Sequence, residues 1–212
     1  MKGLLRKDLY MLAKYGKTYL LIAVIFLAAY VMGNSSFFFF GYPTLMVSMW
    51  GITLMSYDEH SHWDLYCNSL PVTRAQVVTS KYLMVGGMIV ACVVVTTAVS
   101  LIFARRIGTT PAAVLLSSSM LLGIGLISSS LISPLVFKLG TEKARWAALL
   151  EICIAMLLFF GTGFLFFEDF FGGSTYSADV PTHFMALFAP VGIVLYVISW
   201  LVSVRLYQNR EL

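Results

Sequence analysis

Charge is what this sequence has least of. Only 11% of its 212 residues are charged and 59% are hydrophobic, whereas an ordinary soluble domain carries about 25% charged residues. A water-soluble fold of this length could not hide so much apolar surface. Cysteine is also scarce. Cys67, Cys92 and Cys153 lie far apart without CxxC spacing, which argues against a disulfide framework and against a thiolate zinc site. No run of like charges is long enough to serve as a nucleic-acid tail. The GxxxxGK[ST], HExxH and GxSxG patterns are missing, so the chain offers no P-loop for ATP and no hydrolase signature. It is not expected to be an enzyme or to hold a cofactor or metal of its own.

What is present is a succession of apolar runs, at 18–33, 37–56, 82–104, 112–137, 146–167 and 184–204. Each approaches the roughly 20 residues that cross a hydrocarbon core. The expected fold is an all-α integral membrane protein with about six transmembrane helices. Pro43 and Gly41 are placed to bend the second span, and Pro134 predicts a kink or an early stop in the fourth. Residues 1–17 read as a separate amphipathic helix on the membrane surface. Leu5, Leu9 and Leu12 share one face with Leu4, and Arg6, Tyr10 and Lys14 form the opposite stripe. The permease domain would then occupy 18–212.

Orientation follows from the basic residues. With the N-terminus inside, Lys2, Arg6, Lys7, Lys14, Lys17, Arg74, Lys81, Lys138, Lys143, Arg145, Arg205 and Arg210 all fall on the inner side. Only Arg105 and Arg106 remain outside, so the positive-inside rule predicts cytoplasmic N- and C-termini. The outer segment 168–183 contains no Lys or Arg.

The inner loop at 57–81 is longer than a hairpin requires. It mixes acids and aromatics, breaks at Leu70 and Pro71, and then offers Thr73 as the cap of a new helix. Such a loop presents a shaped surface to a partner. His60 and His62 alternate with Asp58, Glu59 and Asp64 as ligands might, but a docking surface accounts for them better than a metal. Within the spans, Gly125, Ser129 and Ser133 share a face at i, i+4 and i+8, a spacing that suits close helix packing or a weakly polar transport lining. Glu151 lies in the fifth run, where a carboxylate is costly; it is either functional or a partner of Lys143 or Arg145.

The pattern Tyr57, Asp58, Glu59, Trp63, Tyr66, Ser69, Leu70, Pro71, Val72, Arg74, Val78, Ser80, Lys81 and Tyr82 resembles the permeases of type-2 ABC exporters. It is most similar to the small Gram-positive kind that includes subunits of the phenol-soluble modulin exporter. The resemblance implies that the inner loop holds a coupling helix. Asp58, Glu59, Trp63, Tyr66, Ser69, Leu70, Pro71 and Arg74 would then form the surface that docks on a separate ABC ATPase carrying ATP and Mg. It further implies a second permease copy or a sister permease, a lipid environment in a bacterial cell membrane, and outward movement of a hydrophobic or amphipathic peptide, lipid or drug. An ATP-independent transporter or channel and a non-transporting scaffold are the alternatives. The former is disfavoured because Glu151 is the one intramembrane ion in view and no inverted repeat is visible.

Overall fold

The computed structural model describes residues 2–32, 37–61, 63, 73–139, 146, 149, 152, 153, 157 and 182–208. Among them the regular elements are all helices: α1 (Lys2–Tyr15), α2 (Lys17–Val31), α3 (Phe37–Ser48), α4 (Trp50–His60), α5 (Arg74–Ile107), α6 (Pro111–Leu139) and α7 (Thr182–Gln208). Three of them, α5, α6 and α7, are long and apolar enough to cross a membrane. The apolar runs at 82–104, 112–137 and 184–204 lie within these three. The run at 18–33 corresponds to α2, which at 1.5 Å per residue is about 22 Å long and by itself shorter than a hydrocarbon core. The run at 37–56 becomes α3 and α4, interrupted at Met49. The fifth run falls largely outside the described residues.

The corner between α1 and α2 bends by 62°. Gly16 occupies it and donates its N–H to the Leu12 carbonyl at 2.6 Å. A Cβ at Gly16 would press into that same carbonyl oxygen, so the tight corner requires glycine.

Helix α5 begins where the sequence signals it. Gln76 N–H donates to Thr73 Oγ1 at 3.3 Å and Thr73 N–H donates to Gln76 Oε1 at 3.2 Å, which completes a capping box. The helix ends at Gly108, whose φ of 77° is left-handed and therefore suits a residue without Cβ. Thr110 Oγ1 accepts from Ala113 N–H and Pro111 opens α6, a position where a missing N–H costs nothing. Arg105 and Arg106 are exposed at this hairpin end.

The most extensive packing is between α6 and α7. A Cβ built on Gly192 would lie 2.9 Å from the Gly123 Cα, and one on Gly123 would collide with the Phe188 backbone carbonyl. The two backbones therefore touch, as small residues allow in lipid. Ser119 reinforces the contact by donating to the Met185 carbonyl at 3.1 Å.

Pro134 does not stop α6, which continues to Leu139. Proline removes the hydrogen bond to the carbonyl four residues back, leaving Ser130 O without its helical donor. Ser199 of α7 supplies a replacement, its hydroxyl donating to Ser130 O at 2.6 Å. Several other interior hydroxyls bond within their own helices, as Thr96 does to Val93 O and Ser100 to Thr96 O. Large apolar side chains such as Val94, Ile102, Leu187 and Val194 point outward. Polar groups inside and apolar groups outside are the arrangement a bilayer solvent favours.

Candidate functional site

Four charged side chains from three helices meet where α4 ends and α5 begins. Lys7 and Asp8 come from α1, Asp58 from α4 and Lys81 from α5. Lys7 Nζ is 2.5 Å from Asp58 Oδ1 and 3.5 Å from Asp8 Oδ1. Lys81 Nζ is 2.8 Å from Asp8 Oδ1 and 2.5 Å from Asp58 Oδ2. Each ammonium thus faces two carboxylates and each carboxylate faces two ammoniums, in a closed ring of alternating sign.

Asp8, Asp58 and Lys81 are buried, and Lys7 has a side chain 20% exposed. Burying one of these charges alone would cost several kcal/mol. The ring compensates by matching each with two opposite charges and by charge-assisted hydrogen bonds. The Lys7 ammonium also lies 4.2 Å from the centre of the Trp63 ring, a cation–π contact. Asp8 Oδ2 has no hydrogen-bond partner.

Local sequence explains the placement. Ser61 caps the end of α4 from both groups, donating its hydroxyl to Asp58 O at 3.0 Å and its N–H to Tyr57 O at 3.1 Å. Asp58 is thereby held on the last turn of α4. In α5 consecutive side chains diverge by about 100°, so Lys81 faces the ring while Tyr82 faces α6 and α7.

Tyr82 enters a second polar system. Its hydroxyl lies 2.8 Å from Ser199 Oγ and 2.7 Å from Ser203 Oγ. The Ser199 proton is committed to Ser130 O, so Ser199 accepts from Tyr82 and Ser203 in turn donates to Tyr82. Tyr196 donates to the Tyr82 carbonyl at 2.8 Å, and Trp200 Nε1 donates to Thr79 Oγ1 at 3.1 Å. Adjacent residues of one helix therefore join an ionic ring on one side and a directed hydroxyl chain on the other.

Of the residues singled out from sequence, Asp58 lies in the ring and Glu59 is half-buried beside it in α4. Trp63 is half-buried and packs inward on a cluster containing Leu4, Val78 and Tyr207. Arg74 donates to the Gln208 carbonyl at the end of α7, 3.1 Å away, where a cation complements the helix terminus. Tyr66, Ser69, Leu70 and Pro71 lie outside the described residues, as does Glu151. On α1, Leu12 packs against the cluster of Trp50, Leu54 and Met84, Leu5 is half-buried and Leu9 is exposed. Gly125 sits against Thr44 and Ile89, each 3.1 Å from where its Cβ would be. Ser129 and Ser133 line a small open cleft between α6 and the α3 and α4 helices, together with Ser48, Gly51, Ile52, Met55, Ile132 and Val136. No cluster of three potential metal ligands occurs among the described residues.

Lys7, Asp8 and Lys81 were not singled out as site residues, although Lys81 belongs to the quoted pattern. One signal was available. Asp8 falls between Leu4 and Leu12 at i+4 and i−4, on the leucine face, where an unpartnered carboxylate would be costly.

The model of the ABC-2 family transporter proteins matches residues 3–208, which is nearly the whole chain. The chain belongs to the ABC-2 transporter family. It is a membrane permease by that membership, and its apolar helices agree. Comparison with curated proteins and with solved structures returns no match. In this ABC-2 permease the ionic ring joins α1 to the end of α4 and the first turns of α5, on either side of residues 61–73.

Proposed function

We propose that this ABC-2 permease is the membrane subunit of an ATP-driven exporter for a hydrophobic or amphipathic peptide, lipid or drug. It works with a second permease copy or a sister permease and with separate ABC ATPase subunits that carry ATP and Mg. The observation that carries this reading is the loop base. In a chain of this family that has no P-loop, both stems of the 61–73 segment are joined by Asp58 and Lys81. A loop pinned at its base transmits a push, whereas a slack connector absorbs it.

The placement of the ring supports a cytoplasmic loop. From Lys81 to Arg105 the helix rises about 36 Å, more than the roughly 30 Å of a hydrocarbon core. With Arg105 and Arg106 at the outer surface, the ring lies in the inner interfacial region. The 62° corner at Gly16 is consistent with α1 lying along that interface and α2 entering the bilayer, as the first of six spans. The termini are then cytoplasmic in a multi-pass protein of a bacterial cell membrane.

Two measurements test this reading. A membrane-impermeant thiol reagent should label a cysteine at position 175 in intact cells and leave one at position 62 unlabelled; the reverse overturns the topology. The ABC ATPase should co-purify with the wild-type chain and be lost on Tyr66→Ala or Trp63→Ala with membrane insertion unchanged. Full ATPase binding and activity in both variants would remove the loop from the coupling role.

A further inference from the structure

The ring does more than join the two stems of the loop, because half of its charges come from elsewhere. Lys7 and Asp8 belong to α1, which precedes the loop by some fifty positions in sequence. We propose that Asp8 and Lys81 act as positioning residues that fasten α1 to the helix ends flanking residues 61–73, so that α1 and these ends of α4 and α5 move as one body about the corner at Gly16.

Three features of the molecule carry this. The first is the connectivity of the ring. Its four ion pairs run Lys7 to Asp58, Asp58 to Lys81, Lys81 to Asp8 and Asp8 to Lys7, so α1 cannot leave without exposing a buried carboxylate and halving the partners of Lys81. The second is the reach of α1 along its neighbours. Tyr15 stacks on Tyr57 of α4 with ring centres 4.4 Å apart, and Met11 and Leu12 pack on the core that holds Leu54 and Met84. The third is the corner itself. Helix α1 is fastened along the loop side and ends in a glycine bend of 62°, which leaves the fastened end free to swing only with α4 and α5.

The ring also predicts an unusual mutational logic. Exchanging Asp58 and Lys81 alone sets a lysine at 58 against Lys7 and an aspartate at 81 against Asp8, so two of the four contacts become repulsive. Inverting all four charges together restores every attraction and leaves the count of basic residues on that side unchanged.

The test uses the full-length chain with Cys67, Cys92 and Cys153 replaced by alanine and spin labels at Tyr10→Cys and His60→Cys, both exposed positions. The wild-type ring should give one narrow distance between the labels in lipid nanodiscs. Lys81→Met and the Asp58/Lys81 exchange should broaden it at least twofold, Lys7→Met should broaden it less, and the fourfold inversion should narrow it again. Lys7→Met guards against misfolding, since Lys7 is the partly exposed corner. A distribution that stays narrow in Lys81→Met, or a fourfold inversion no narrower than the exchange, overturns the proposal.

A second arm rests on the ATPase reading and uses the complex with the co-purified ATPase, trapped with ATP, Mg and vanadate. With a third label at Leu187→Cys, both inner labels should shift relative to α7 while keeping their mutual distance. In Lys81→Met the label at 60 should still shift and the one at 10 should not follow. Equal movement of both labels in Lys81→Met overturns the proposal. Failure of any ATPase to co-purify with the wild-type chain instead counts against the ATPase reading, and the first arm then decides the ring alone.

Discussion

The two halves of the bundle are held together by opposite means. Where α1, α4 and α5 meet, four charges satisfy one another inside a buried ring. Where α6 meets α7, Gly123 and Gly192 bring two backbones into contact with no side chain between them. Charges attract over several ångströms, so the ring can hold its members together through a displacement, whereas a backbone contact has one fit. The ring-bound helices are therefore the body in which to look for movement, and the α6 and α7 pair is the frame against which it is measured.

The largest expected effect would break the ring. Lys81→Met leaves the buried Asp8 and Asp58 with only the partly exposed Lys7 between them, and removing one member of a buried pair costs about 3–5 kcal/mol. The SDS concentration at the midpoint of unfolding should fall accordingly, while Lys81→Met combined with Asp58→Leu and Asp8→Leu should recover part of the loss. The next would break the frame. Gly123→Ala drives a methyl into the Phe188 carbonyl and forces the helices apart, at a cost of about 1–3 kcal/mol on the same titration. If Gly123→Ala proves the worse of the two, the contrast between a mobile and a fixed half is reversed.

A smaller effect sharpens the contrast from within the frame. Ser199→Ala removes the donor to Ser130 O, at about 1 kcal/mol for a hydrogen bond between membrane helices. Pro134→Ala returns a backbone N–H to that carbonyl, so the double variant should lose less than Ser199→Ala alone, a coupling that a double-mutant cycle reads directly. The smallest effect lies beside the ring. Thr73→Ala removes half of the capping box and should cost about 0.5–1 kcal/mol, visible as faster amide hydrogen exchange at the start of α5 and little change elsewhere.

Local features were legible in the sequence, and juxtapositions across helices were not. The apolar runs located α5, α6 and α7 because a spanning helix needs continuous hydrophobicity. Thr73 announced the start of α5 because a cap acts within four residues. Asp8 was harder to read. On a helical wheel its neighbour Lys7 and the stripe of Arg6, Tyr10 and Lys14 make α1 look like a simple surface helix, and its shorter ion pair is made to Lys81, 73 positions away. Trp63 was singled out through the resemblance, and its packing against Leu4 and under the Lys7 ammonium was not visible in the sequence. Pro134 predicted a kink or an early stop, and the donor that lets the helix continue sits at position 199. Such pairings depend on the tertiary fold, to which one-dimensional periodicity is blind.

The carbonyl of Ser130 has a consequence for how the chain is made. During synthesis α6 is complete well before residue 199 leaves the ribosome, and for that interval the carbonyl that Pro134 strips of its donor faces lipid or water without a protein partner. Helix α6 therefore enters the bilayer as an unfinished part, and the arrival of α7 seals it. Assembly is in this respect timed: a chain released before position 199 would carry a helix with the right sequence and an open seam at Ser130.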